Sequence, residues 1–222
     1  VKSFNLGYSS QTIPIIAHRF GSQGSNVLVL GGVHGDETEG VVAALGLFRD
    51  WLHDYPFKNL RVTLVPTFNI DGVLAKTRAN ANGVDLNRNL PTQDWSAEIA
   101  NVRYHPGPAA NSESENQALV HFIATEKPRF ILSLHSWKPM LNINGDCAAE
   151  AKAIAAINGY IISPTIGYST PGCLGTYSGL ERAIPTITYE IERGLKAERV
   201  LKEHLPAIHA GLKVLEEKCR LN

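Results

Sequence analysis

Cysteine is scarce in this sequence. Cys147, Cys173 and Cys219 are the only three in 222 residues, and they are not spaced as a zinc-thiolate site. So sparse and odd a set excludes a disulfide framework, which a chain of this length does not need, and predicts reduced thiols. Net charge is missing too: Lys+Arg and Asp+Glu both number 21. No overall positive field therefore draws the chain to nucleic acid or to an anionic membrane surface. No stretch approaches the ~18 uninterrupted apolar residues that a membrane-spanning helix needs. The opening VKSFNLGYSS has no apolar core of the kind a secretory leader carries. The expectation is a cytoplasmic protein, although the chain opens on Val1 rather than methionine.

What remains is an ordinary globular composition. With 44% hydrophobic residues, the chain has material for a proper core, and its length predicts one domain over residues 1–222. The polar GSQGSN (21–26) leads into Val27-Leu28-Val29-Leu30, a buried strand ended by Gly31-Gly32. From Thr38 to about Leu52, Val41, Val42, Leu45, Phe48 and Leu52 recur at helical spacing. RVTLVPTF (61–68) reads as the next strand, and residues 69–110, rich in Asn, Gly and Pro, as a long loop, a length that usually signals function. A helix follows over 112–125, with Ser112 and Glu115 spaced as a capping box. RFILSL (129–134) is a strand that ends at His135. A helix over 147–158, a Pro/Gly loop over 163–183, the strand TITYEI (186–191) and a final amphipathic helix over 196–217 complete the chain. Pro206 predicts a kink or split in that last helix. Strands alternating with helices imply an α/β fold with a largely parallel or mixed sheet.

In such sheets ligands gather beyond the carboxyl ends of the strands, where His34, Glu37, His135 and Glu190 all fall. Imidazole and carboxylate are the ligands zinc prefers, and catalytic sites use three of them and keep a fourth position open. A spacing of three lets His34 and Glu37 turn toward one point at a strand-to-helix junction. The double glycine lets the backbone turn there and leaves room. Alone, H-x-x-E is a common surface pattern, and a lone histidine after an apolar strand is usually a hydrogen-bonded core residue. Glu190 by itself reads as a strand-end carboxylate, with Arg193 as a candidate partner. Arg78 and Arg88, in a polar loop without acidic partners at helical spacing, are suited to gripping a carboxylate or an oxyanion.

Taken together, His34-Gly-Asp-Glu37, Asn69-Ile-Asp-Gly72, Arg78, Asn87-Arg88, Leu134-His135-Ser136 and Glu190 resemble the zinc carboxypeptidase family, from about Leu28 to Arg193. That resemblance implies a single-domain, mixed parallel/antiparallel twisted sheet with helices on both faces. It implies one Zn²⁺ per chain held by His34, Glu37 and His135, whose remaining position takes a water acidified to a pKa of about 7. Glu190 would move the proton as general acid/base, Arg78 would stabilise the oxyanion, and Asn87 with Arg88 would grip the carboxylate beside the scissile bond. Tyr168 would be the mobile tyrosine that closes over substrate, with Tyr160 or Tyr177 as substitutes.

The segments TRANANGVDLNRN (77–89), SESENQAL (112–119) and GYSTPGCLGTY (167–177) are similar to those of compact bacterial members that act on murein peptide. The resemblance thus implies a small peptide substrate, a murein peptide cut between γ-linked D-glutamate and meso-diaminopimelate. Such a substrate is rich in amines and carboxylates, for which Lys138, Asn142, Asn144 and Arg88 are candidate contacts. Gly175, near where the family lines its specificity pocket, suggests room. Two alternatives remain, a general metallocarboxypeptidase and a zinc acylamino-acid hydrolase of the aspartoacylase or succinylglutamate desuccinylase type. The latter is resembled at Gly-Gly-Val-His-Gly-Asp-Glu and at Asp-Leu-Asn-Arg.

Overall fold

A computed structural model describes residues 1–98 and 101–221. Its strands are β1 (Lys2–Tyr8), β2 (Pro14–Phe20), β3 (Ser25–Gly31), β4 (Leu60–Val65), β5 (Phe130–Trp137), β6 (Met140–Asn144), β7 (Ile161–Ser163) and β8 (Thr186–Glu192). The helices are α1 (Thr38–His53), α2 (Ile70–Ala75), α3 (Ser114–Glu126), α4 (Ala148–Asn158) and α5 (Ala197–Leu221). All eight strands form one sheet in the order β1-β2-β4-β3-β5-β8-β6-β7. The central block β4-β3-β5-β8 is parallel, while β1, β2 and β6 pair antiparallel with their sequence-distant or hairpin neighbours.

The central strands are apolar on both sides because both faces are covered. Side chains alternate across the sheet. Val27 and Val29 face the layer of α1, α4 and α5, and Leu28 and Leu30 face Leu119, Phe122 and Ile123 of α3. The expected mixed sheet with helices on both faces is what forms. From β3 the chain crosses through α1 to β4 on one side, and β5, on the other side, is entered from α3 on the opposite face. The reversal beside β3 opens a crevice at the carboxyl ends of β3 and β5.

Four strands escape the apolar pattern. β1 mixes polar and apolar residues, β2 carries His18 and Arg19 side by side near its end, and a register irregularity between Asn5 and Gly7 interrupts their pairing. β6 and β7 are short and half polar. Helix α3 starts two residues later than expected, and its capping box does not form. Ser112 gives its hydroxyl to Glu113, and the buried Glu115 carboxylate takes bonds from Ser10 N–H and Oγ and from Asn80. Tertiary partners outbid the local cap. Nor does Pro206 split the last helix, since α5 runs through it as 25 residues. Pro206 and Lys202, whose carbonyl loses its helical partner, are both exposed. The proline thus lies on the solvent side of the helix, while Val200, Leu205, Ile208, Leu212 and Leu215 are buried along the inner face.

That inner face also carries His204, which is 1% exposed. Tyr189 OH sits 2.6 Å from its Nδ1 and accepts from Asn158 Nδ2. The phenol therefore donates to Nδ1, which fixes the ring as a neutral acceptor. Burial pushes His204 down from 6.5 to about 4. Between those values the unfolded chain takes up a proton that the folded chain refuses, so stability falls as pH falls through the window. Urea titrations of His204→Gln should lack about 2 kcal/mol of the decline that the unaltered chain shows from pH 7 to pH 4. Identical pH slopes in the two proteins would refute the assignment.

Candidate active site

The turn after β3 is built by close backbone contact. Gly32 has φ +65°, and a Cβ on Gly35 would lie 1.9 Å from the carbonyl carbon of Gly72. Only glycine fits both places. Asn69 locks this junction: its Oδ1 accepts from Gly72 N–H at 2.9 Å, and its Nδ2 donates to the carbonyls of Val33 and Arg78 at 3.3 and 3.2 Å. Asp71 accepts from Ser9 Oγ and Gln11 N–H. Asn69-Ile-Asp-Gly72 is thus the brace that holds the 34–37 turn and the Arg78 loop against the N-terminal hairpin.

On that brace, three side chains converge. His34 Nδ1 lies 2.9 Å from Glu37 Oε1, His135 Nδ1 lies 2.9 Å from Glu37 Oε2, and the two Nδ1 atoms are 3.2 Å apart. The donor atoms all lie within 4.8 Å of one another, and all three residues are buried. The outer ring nitrogens are engaged: His34 Nε2 meets Asp85 Oδ1 at 3.0 Å, and His135 Nε2 meets Ser133 Oγ at 2.9 Å. A carboxylate at Nε2 keeps the proton there and leaves the Nδ1 lone pair of His34 pointing inward. Two imidazoles and a carboxylate directed at one point are a donor set that fits zinc.

Asp85, which sequence reasoning did not single out, organises the electrostatics. It is 0% exposed, its Oδ1 also accepts from Asn87 N–H at 2.9 Å, and its Oδ2 accepts from Arg78 Nε at 2.8 Å. Burial opposes its charge, but His34, Arg78 and Arg88 outweigh burial and hold the carboxyl well below the usual range. Arg78 Nη1 reaches Glu37 Oε1 at 3.1 Å, so one guanidinium joins both carboxylates. For His34, burial and Arg78 resist protonation, yet Glu37 and Asp85 raise its pKa overall. The advance signal for Asp85 is its place in the Asp-Leu-Asn-Arg stretch, two residues before Asn87, with no role attached to it.

Glu190 stands opposite His135 in the β5–β8 register and is 7% exposed. Its Oε2 is buried with no hydrogen-bond partner. Burial first, and Glu37 as well, push its carboxyl up to about 7 against the pull of His135, Arg78 and Arg88. Such a carboxyl is poised to take and return a proton near neutral pH. Arg193 is not its partner: the Arg193 guanidinium binds Asp36 instead. Asn87 Oδ1 accepts from Leu174 N–H at 2.8 Å, and Arg88 Nη1 donates to the Asn87 carbonyl at 2.7 Å. The Tyr104 ring sits 5.2 Å from the Arg78 guanidinium and 5.3 Å from that of Arg88.

His34, Glu37, Arg78, Asn87, Arg88, Tyr168 and Glu190 all line one cleft. Tyr168 is 42% exposed, with Trp137 edge-on at 5.8 Å. Tyr160 packs instead on Tyr189 and His204, and Tyr177 lies buried against Arg182. Of the expected pocket contacts, Asn142 lines the cleft, but Lys138 folds back over the Trp137 ring at 5.0 Å. Gly175 leaves no room, because Asn144 Oδ1 occupies the space, 2.3 Å from where its Cβ would stand. Tyr104, Arg103, Cys173 and Thr188 also line the cleft; Cys173 lies within the GYSTPGCLGTY segment, but no role was expected of any of the four.

Residues 1–172 match the zinc carboxypeptidase family. The murein peptide amidase A of Vibrio campbellii is 32% identical over 85% of this chain and 77% of its own length. The murein peptide amidase A of Escherichia coli is 32% identical over 68% of this chain, which spans 64% of that enzyme. Among solved structures, the murein-tripeptide amidase of Escherichia coli O157 superposes with a TM-score of 0.80 at 26% identity, covering 97% of this chain and 92% of that one. Carboxypeptidase A of Helicoverpa armigera gives a TM-score of 0.86 at 18% identity, over 99% and 69%, a likeness of fold alone. Zinc is the family's metal, and the His34–Glu37–His135 cluster is positioned for it. Replacing Asp85 by Asn should weaken zinc binding about 10- to 100-fold, the range for partners of metal-bound imidazoles. Competition with a chromophoric chelator measures it, and unaltered affinity would remove Asp85 from this role.

Proposed function

The chain belongs to the zinc carboxypeptidase family, and on that premise we propose that it hydrolyses the amide between γ-linked D-glutamate and meso-diaminopimelate in murein peptides. The observation that carries this reading is the inward-facing Nδ1 pair with Glu37 beside an unpartnered, buried Glu190 carboxylate. Likeness to two murein peptide amidases and to a solved murein-tripeptide amidase supplies the substrate class. The likeness to a succinylglutamate desuccinylase, at 18% identity and a TM-score of 0.68, is one of fold only and supplies none. One sheet runs from Lys2 to Glu192 with apolar cores on both faces, which supports a single catalytic domain over residues 1–222.

Zinc held by His34, Glu37 and His135 supplies Lewis acidity, polarising a carbonyl and lowering the pKa of water to about 7. Glu190 takes the proton of the attacking water and passes it to the leaving nitrogen. As the C–N bond breaks and a C–O bond forms, the products are a carboxylate and a free amine. Arg78, oriented by Asp85 and Glu37, faces the negative charge that develops on the carbonyl oxygen. Arg88, with Asn87, binds the carboxylate next to the scissile nitrogen. Tyr168, half exposed at the rim, closes over the bound peptide and excludes water.

Mass analysis of L-alanyl-γ-D-glutamyl-meso-diaminopimelate after incubation should show release of free diaminopimelate, while ordinary C-terminal dipeptides remain intact. Glu190→Gln should keep its zinc and lose turnover by about 10²- to 10⁴-fold. A Glu190→Gln protein with full turnover would end the proton-transfer assignment, and cleavage of ordinary peptides alone would end the murein assignment.

A further inference from the structure

Four arginines line the cleft, Arg78, Arg88, Arg103 and Arg193, and the reaction proposed above uses two. Arg103 and Arg193 stand at the mouth with side chains 45% and 39% exposed. They meet at one carboxylate. Arg193 Nη2 donates to Asp36 Oδ2 at 2.9 Å and to the Asp36 carbonyl at 2.8 Å, and Arg103 Nη2 donates to the same Oδ2 at 3.1 Å. Two guanidiniums on one carboxylate leave a net positive charge.

Each guanidinium is anchored through a single nitrogen. Among the described residues, the Nε and Nη1 donors of both have no protein partner. Asp36 thus fixes two planar forks in place and leaves their donor edges open, a geometry suited to a carboxylate. The pair is also tied to the reacting centre. Asp36 directly precedes Glu37, and Arg103 directly precedes Tyr104, whose ring covers Arg78 and Arg88. Arg193 N–H is bonded to the carbonyl of Trp137, two residues past His135, at 3.0 Å.

We propose that Arg103 and Arg193, held by Asp36, form a second carboxylate subsite that reads an anionic group on the acyl side of the scissile amide. The inference rests on the murein reading, in which Arg88 already takes the carboxylate on the amine side. A γ-linked glutamyl residue carries its free α-carboxylate on the acyl side, within the same residue as the scissile carbonyl. A peptide with a neutral residue there offers no carboxylate at that place. The subsite therefore selects a free glutamyl carboxylate over a neutral acyl residue, a choice that the metal and Glu190 do not make.

Three amides test this, compared by kcat/KM: the γ-D-glutamyl-meso-diaminopimelate tripeptide, its analogue with the glutamyl α-carboxylate converted to an amide, and its analogue with lysine in place of diaminopimelate. The unaltered enzyme should prefer the free carboxylate to its amide by about tenfold or more, the worth of a charge-assisted pair. Arg103→Gln and Arg193→Gln should each shrink that ratio, and Arg103→Lys and Arg193→Lys should retain part of it. Because each ratio is taken within one protein preparation, partial misfolding cancels. Equal cleavage of acid and amide by the unaltered enzyme overturns the subsite alone. A ratio that survives in both Gln variants does so too, as does a loss that follows the diaminopimelate/lysine ratio, which would place the arginines on the amine side. Cleavage of none of the three overturns the murein reading and the subsite with it.

Discussion

The site depends on one buried carboxylate. Asp85 holds His34 Nε2 and Arg78 Nε, and thereby fixes the tautomer of one and the direction of the other. A fully buried aspartate is tolerated only when its lone pairs are taken, and losing one partner of such a charge costs roughly 3–5 kcal/mol. His34, Arg78 and Asn87 N–H together take the lone pairs of Asp85 and keep it charged. The same contacts pre-orient a group positioned for the metal and, in the proposed reaction, the guanidinium that would face the developing charge, which would leave little reorganisation for the reaction itself.

The fold was legible where apolar runs were continuous. Val27–Leu30 and the 129–134 and 186–191 strands announced themselves because the parallel centre of the sheet is buried on both faces. β1, β2, β6 and β7 did not, since they are short or half exposed to water and mix polar with apolar residues. α2 and the turn over Gly175–Leu180, closed by Glu181 N–H on the Thr176 carbonyl, are too short for periodicity to register. The Ser112–Glu115 pattern failed for another reason. A local cap is worth about 1 kcal/mol, less than the three-way bonding that Ser10 and Asn80 offer Glu115.

For the site, the residues that approach the reacting atoms were readable and those that support them were not. His34, Glu37, His135 and Glu190 lie at strand ends, where a polar residue after an apolar run stands out. Ser133 lies inside an apolar strand, and Asp85 lies in a run of turn-forming residues, where its type carries no signal. Arg103 and Tyr104 reach the cleft from a loop with no pattern to read. Proximity of residues far apart in sequence is a property of topology, and a single chain read linearly does not display it.

The brace at Asn69–Gly72 has a consequence for how the protein comes to be. Ser9 and Ser10 emerge first in synthesis, yet the carboxylates they satisfy, Asp71 and Glu115, lie 62 and 105 positions further on. The contacts that tie this junction to the N-terminal hairpin therefore close only once about half of the chain, to Glu115, is available. Closure entropy for such distant contacts must be met before they return any stabilisation. Competence for the metal waits longer still, because His135, the third member of the cluster, follows Glu115 in the chain.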